Sequence, residues 1–434
     1  MKKRICILLS LLLMLLSVPA LGEAPAEPVD YAGQLRLNMA SETVKTEVTV
    51  KTFVDGDTTH FIVPEGVTDS GVLKARYLAV NTPEVTGKIE EYGKKAAAFT
   101  KEKLSSAVSI IVESDDGKWN LDSTGDRHLV WVWYRTEGSA EYRCLNIELL
   151  QNGLCIANST ANNRYGSTAM AALNQARALK LNVHSGQKDP DFYYGEAIEL
   201  TLKELRTNLE AYNGMKVAFN GVVTMNSNNA VFTEAYDPET DMYYGMSVYY
   251  GYGLSGKGLE ILNVGNEVRI VGTLQYYEAG GTWQVSGLTY RMMKPKDPGN
   301  IQKLSDGHSP AYVLTAPERF VSGLVTIVGE EAEKTFPYAE LAMSTSIEMH
   351  GLRVKHVYTT DNEDSSSRGA MTLTCEKDGV TVLVRTAVLT DANGKLVTED
   401  AFIGKTIDVR GVVDYFDGAH QIKVLTLSNI NIYD

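Results

Sequence analysis

Three short stretches carry side chains able to do hydrolytic chemistry. The first, Val54 to Thr58, sets Asp55 and Asp57 on either side of a glycine. The second, Arg76 to Glu84, reads RYLAVNTPE and ends an apolar run on Asn81, Thr82, Pro83 and Glu84. The third, DSTGDRH at 122–128, delivers Arg127 at the start of a hydrophobic strand. Each alone has an ordinary explanation: an Asp-Gly hairpin turn, a strand end, a solvated arginine. Together they supply what phosphodiester hydrolysis requires. Asp57, the Asn81 amide oxygen and the Thr82 carbonyl are hard oxygen donors of the kind calcium takes. Pro83 forces Thr82 into an extended conformation and so fixes the direction of that carbonyl. Arg76 and Arg127 offer guanidinium forks that match phosphate oxygens. Glu84 adds a carboxylate suited to act as general base on water.

The elements that must position these groups can be read from periodicity. Strands are expected over EVTVKTFV (47–54), TTHFIV (58–63) and VLKARYLAV (72–80), the last leading into the proline corner. A helix follows in IEEYGKKAAAFTKEKLSSA (89–107), where Tyr92, Ala96 and Phe99 recur at helical spacing. Strands SIIVES and LVWVWY come next. A short helix, LNIELLQN, stops at Gly153, a residue suited to a left-handed cap. The last helix, STAMAALNQARALKL, has Ser167 as its expected N-cap. Five strands and three helices make a small α+β unit with a barrel-like sheet over residues 44–186.

From Val48 to about Gly186 the chain resembles the staphylococcal (micrococcal) nuclease family. The likeness runs through VDGDT, RYLAVNTPE, EYGKKAAAFTKEKL, GDRHL, LNIELLQNGL and ARALKLNV, and covers about a third of the chain. It implies an OB-fold barrel carrying three helices, and calcium-dependent phosphodiesterase cleavage of DNA and RNA to products with 3′-phosphate ends. Carried over by position, Asp57 is a calcium-binding aspartate and Asp55 the acidic residue close behind it. Arg76 and Arg127 bind phosphate, Thr82 supplies a backbone ligand, and Glu84 orients or deprotonates the attacking water. Two departures stand out. Asn81 lies where the family has a second calcium-binding aspartate, so an oxygen donor is kept but a charge is lost. Tyrosines that stack on the nucleotide in the family are missing around DSTGDR and NSTANNRYGS, where Tyr165 is the candidate replacement. The rival reading is a catalytically inactive nuclease fold serving as an extracellular nucleic-acid or cell-surface binding module.

The whole chain frames these sites. At 434 residues, with 44% hydrophobic and 22% charged content, it has room for several cored domains. Residues 1–22 form a signal peptide: a basic start, an apolar run from Ile5 to Val18, and a cleavage site near Gly22. That run is shorter than the ~20 residues a spanning helix needs, so the mature chain is expected to be secreted, extracellular and not inserted in a membrane. Cys6 leaves with the signal. Cys144 and Cys155 either bridge or stay free, and Cys375 is left over. The net charge of −13 argues against coating nucleic acid through bulk electrostatics.

Beyond an expected linker at 185–197 the chain turns strand-rich and repeats itself. GNEVRIVG (265–272) is echoed by GKTIDVRG (404–411), and Tyr276, Val285 and Leu288 by Tyr415, Val424 and Leu427, at an offset of about 139 residues. Two OB-like antiparallel β domains are expected, at 197–293 and 312–434, with 301–335 fitting neither copy. The fold class is therefore mainly β with an α+β first domain: one nuclease barrel with three helices, then two further small antiparallel barrels. Tyrosines in MYYGMSVYYGYG (242–253) offer either stacking platforms or cross-strand packing. The partners expected are DNA and RNA for the first domain and a polymer or cell-surface ligand for the later ones. No sequence signal speaks to oligomeric state.

Overall fold

Along Val72–Tyr77, Leu73, Ala75 and Tyr77 alternate with Val72, Lys74 and Arg76, the pattern of a strand with one wet face. In the computed structural model the first set is buried and the second partly exposed. Residues 27–433 are described, apart from 86–88, 279, 329–331, 363–364 and 366. The expected signal peptide lies outside the described residues.

A short helix α1 (Tyr31–Gln34) precedes the first barrel, which comprises β1 (Lys45–Asp55), β2 (Thr58–Ile62), β3 (Val72–Tyr77), β5 (Ala107–Glu113) and β6 (His128–Thr136), with β4 (Val80–Asn81) set apart from it. The order is β3-β2-β1-β5-β6, closed by parallel pairing of β3 with β6. This is the five-stranded OB arrangement. Trp131, Trp133, Phe61, Tyr77 and Leu73 fill it. β7 (Arg143–Cys144) extends the sheet, and β8 (Ile156–Ala157) pairs with β4. The helices are α2 (Gly93–Ser105), α3 (Leu145–Gln151) and α4 (Gly166–Ala178). α3 ends as expected: Gly153 has φ 63°, its N–H donates to the Leu150 carbonyl, and that of Leu154 to the Leu149 carbonyl. Ser167 is not the N-cap of α4. The cap is Tyr165: Gly166 packs against the backbone of the preceding 160–162 turn, and the helix starts two residues earlier than expected. Cys144, Cys155 and Cys375 are all buried free thiols. Residues before 44 also join the unit, with Asp30 paired to Arg143 at 2.8 Å.

The second barrel follows a strand β9 (Ile198–Glu199) and helix α5 (Leu202–Thr207). Its strands are β10 (Lys216–Ser227), β11 (Ala230–Asp237), β12 (Met242–Tyr249), β13 (Glu267–Tyr277) and β14 (Thr282–Ser286), with helix α6 (Lys257–Ile261) between β12 and β13 and edge strand β15 (Gln302–Ser305). The third follows β16 (Val313–Leu314), α7 (Pro317–Ser322), a hairpin of β17 (Leu324–Val328) and β18 (Glu333–Pro337), and α8 (Tyr338–Leu341). It contains β19 (Ser346–Thr359), β20 (Met371–Lys377), β21 (Val380–Thr386), β22 (Thr406–Phe416) and β23 (Ala419–Val424), with edge strand β24 (Ile430–Tyr433). Both close in the same order as the first, with β12/β14 and β21/β23 the parallel pairs.

The stretch 301–335 is thereby resolved. β15 edges β13 as β24 edges β22, and among the described residues the β17–β18 pair has no counterpart in the second unit. The fixed offset also breaks at one place. Leu274 faces Val285 whereas its counterpart Val413 faces Ile422, so Val285 corresponds to Ile422, not Val424. A shorter turn between β22 and β23 accounts for the slip. Tyr244 is fully buried, and the Tyr243 ring meets that of its cross-strand partner Tyr236 at a tilt of 51°, so this part of 242–253 packs across the sheet. No described helix is long and apolar enough to cross a membrane.

Candidate functional site

The turn from β1 into β2 buries two carboxylates: Asp57 is 0% exposed and Asp55 5%. Three other pieces of chain converge on that turn. From α2, the Thr100 hydroxyl donates to the Gly56 carbonyl at 2.5 Å. From the corner, the Thr82 N–H donates to Asp57 Oδ2 at 2.8 Å. From β3, the Tyr77 N–H donates to the Asp57 carbonyl at 2.9 Å, and the neighbouring Arg76 guanidinium bridges Asp57 Oδ1 and Asn81 Oδ1. Space is tight enough to require Gly56, since a Cβ there would stand 2.9 Å from the Thr82 side chain and 3.0 Å from Ala96. Gly93 meets the same limit at the start of α2, where a Cβ would come 2.6 Å from the Glu84 carbonyl oxygen.

The corner is not the end of one continuous strand, as the apolar run VLKARYLAV led us to expect. β3 stops at Tyr77, Ala79 turns left-handed at φ 70°, and β4 resumes with Val80 and Asn81. A left-handed alanine costs about 1–2 kcal/mol, and side chains from elsewhere hold it. The Thr160 hydroxyl donates to the Ala79 carbonyl at 2.7 Å. Asn146, buried on α3, donates to the Leu78 and Val130 carbonyls at 2.9 and 3.1 Å and accepts from the Val132 N–H at 2.8 Å. This kink carries Asn81 and Thr82 to Asp57.

Burial pushes the Asp55 carboxyl well above the usual carboxylate range, and its hydrogen bond to Glu84 and the charges of Glu84 and Asp57 push it further. Asp55 therefore keeps its proton near neutrality and donates it to the Glu84 carboxylate. Burial raises Asp57 as well, opposed by the Arg76 charge and the Thr82 N–H. The candidate metal donors are all oxygens: Asp57, the Asn81 amide and the Thr82 carbonyl, with Asp55 and Glu84 beside them. The Thr82 hydroxyl is buried without a hydrogen-bond partner at the same spot. That donor chemistry fits a hard cation. Among the described residues no group of three or more His, Cys, Asp or Glu side chains is arranged to hold a metal, so amide, carbonyl and water oxygens would have to complete the shell.

The structure thus brings Asp55, Asp57, Arg76, Asn81, Thr82 and Glu84 together. It does not bring in Arg127 directly. Arg127 stands just before β6, whose His128 pairs with Ala75 of β3, and its guanidinium is held by Asp122 at 2.6–2.7 Å. Asp122, five residues earlier in the same turn, is the sequence feature that marks this partner. Tyr165 is elsewhere: its ring meets the edges of Trp131 and Trp133 at 5.0 and 5.5 Å, and its hydroxyl donates to buried Glu113 at 2.9 Å. Its hydroxyl is engaged and its ring, half-buried, packs against both tryptophans.

Asn146 and Asp189 are positioning residues that the sequence did not single out. Asp189 accepts from the Tyr92 N–H at 2.6 Å at the start of α2, so the expected linker 185–197 is docked on the first barrel. With the geometry described, the comparisons can be stated. Residues 74–185 match the family described as Staphylococcal nuclease homologue. Asp55 and Asp57 precede the matched span. No curated protein matches the chain.

Proposed function

Because residues 74–185 form a staphylococcal nuclease-family domain, we propose that the protein is a secreted, calcium-dependent nuclease hydrolysing DNA and RNA to products with 3′-phosphate ends. The convergence of Asp57, Arg76, Asn81, Thr82 and Glu84 on one buried turn carries this reading. Calcium held by Asp57, Asn81 and the Thr82 carbonyl would neutralise charge on the scissile phosphate. Glu84 orients a water and takes its proton as the water oxygen bonds to phosphorus. The bond to the 5′-oxygen breaks on the opposite side, and that oxygen leaves as a hydroxyl after protonation. Arg76 donates to the phosphate oxygens from the same face, where charge builds up in the transition state. Arg127 joins it by exchanging Asp122 for phosphate.

The test is digestion of labelled DNA and RNA with calcium and with chelator. Glu84→Gln should lower the rate by ~10²–10⁴, and Arg76→Ala by ~10²–10³ by analogy with oxyanion donors. Full activity in chelator would refute the metal role. One observation favours the inactive binding module instead: Arg76 already bridges Asp57 and Asn81, where one carboxylate is missing. On that reading the wild-type chain cleaves nothing, and neither substitution changes any measured activity.

A further inference from the structure

A cleft of 1100 Å³ opens on the outer face of β20, β21 and β23 in the third barrel, and reaches Lys51 of the first barrel and the β10–β11 turn of the second. At its floor, Arg385 donates to the Thr372 and Thr360 hydroxyls at 3.0 and 2.9 Å. Among the described residues no carboxylate pairs with it. Burial pulls its pKa below the usual arginine value, a cost that a bound anion would offset. Lys423 differs, being neutralised by Asp414 at 2.9 Å. Lys51, exposed on β1, has no ion-pair partner among the described residues. Among the described residues, two cations without an ion-pair partner therefore line one cleft of a chain whose net charge is −13. On its rim stand the rings of Tyr358 and Phe416, 54% and 64% exposed, near the carboxylate of Asp417.

The cleft connects to the hairpin site. Thr58 pairs with Arg76 and His60 with Lys74, and alternation puts Lys74 and Arg76 on one outer face. Lys51 lies close enough to His60 to act on its charge, as Lys74 does. Arg76, Lys74 and Lys51 thus mark a path from the hairpin toward Arg385, on which Lys74 is paired to Asp126 at 2.8 Å and Arg76 to Asp57, leaving Lys51 without an ion-pair partner among the described residues. Unpaired cations for phosphates and exposed ring faces for bases are what a single strand needs. We propose that this cleft binds single-stranded nucleic acid, the continuation of the strand held at the hairpin site. An acidic polysaccharide would satisfy Arg385 and Lys51 but would leave the path from this cleft to Arg76 without a role. The origin of the strand rests on the nuclease reading; the binding does not.

The experiment is fluorescence anisotropy of a labelled oligothymidylate with the full chain in chelator, so that turnover does not intervene. Each phosphate contact on a single strand adds ~0.7 to the slope of log affinity against log salt. Lys51→Ala and Arg385→Gln should each lower that slope by about this amount. Phe416→Ala should weaken binding at least about fivefold, the lower end of a base stack. Lys51 and Phe416 are exposed, so the test stands even if Arg385→Gln fails to fold. Unchanged affinity and slope in Lys51→Ala and Phe416→Ala would overturn the proposal, as would binding of polygalacturonate in place of the oligonucleotide. Binding that depends on these residues in a chain unable to cleave would retain this inference and remove the nuclease reading. Cleavage with binding indifferent to them would do the reverse.

Discussion

Asp55 holds its proton because it is buried and its carboxyl is bonded to that of Glu84. The native Asp55 carboxyl is pushed up to about 9, whereas unfolded aspartate titrates near ~3.9. Between those values the native state binds more protons than the unfolded state, so the metal-free protein loses stability as pH rises. Asp55→Asn removes this titration. Thermal unfolding in chelator at pH 5 and pH 8 should show a smaller drop in Tm for the variant than for wild type; an equal drop would mean that Asp55 is ionised in the native state. Asn81 poses a different question at the same scale. Its amide oxygen and Asp57 share the Arg76 guanidinium, so a hard cation must compete for both. Asn81→Asp adds a charge to the donor set and should lower the calcium concentration giving half-maximal rate. An unchanged calcium titration would show that position 81 is not a ligand.

Among elements, the site depends on a kink and a close crossing rather than on regular structure. Ala79 is left-handed at φ 70°, and glycine occupies that region without steric cost. Ala79→Gly should therefore be neutral or stabilising by up to about 1 kcal/mol in urea unfolding, despite the flexibility it adds to the unfolded chain. Gly56→Ala should act the other way. Its Cβ would press on Thr82 and Ala96, pushing the corner off Asp57. The expected result is a loss of ~1–3 kcal/mol, the usual range for overpacking, together with weaker calcium binding by calorimetry. Retained calcium affinity would show that the corner can move without disturbing the donors.

Over the whole molecule, the second and third barrels share one core, whereas the first keeps its own and meets the second across a cleft. Glu234 of β11 accepts from the N–H groups of Ser346 and Ala311 at 2.7 and 2.8 Å, and Gly245 lies against the backbone of Ser344. Arg206, buried between the two barrels, donates to the Gly245 carbonyl at 2.7 Å and reaches that of Met343 at 3.4 Å. One hydrophobic core runs through both barrels. Between the first and second barrels, by contrast, Lys101 and Glu278 form an exposed pair at 2.8 Å, a contact worth ~0.2–1 kcal/mol. Scanning calorimetry should resolve two transitions, one for the first barrel and one for the fused pair. Arg206→Ala strips buried carbonyls of their donor, a loss of ~1–3 kcal/mol, and should lower only the second transition. A shift of both would show that the barrels unfold as one unit.

The amino-acid sequence by itself determined the barrels, the duplication and the identity of the hairpin residues. Strand alternation, the Asp-Gly-Asp turn and the proline after Thr82 act over a few residues, where local sterics and periodicity suffice. Only the tertiary structure decided what those residues touch. The break of β3 at Ala79 is held by Thr160 and Asn146, far along the chain. Arg127 is diverted to Asp122, and Tyr165 to Trp131, Trp133 and Glu113, because burial makes their hydrogen-bonding and packing partners compulsory. The edge-strand role of β15 was hidden for a related reason: its match to β24 is one of pairing position, set by contacts across the sheet and not by residue identity.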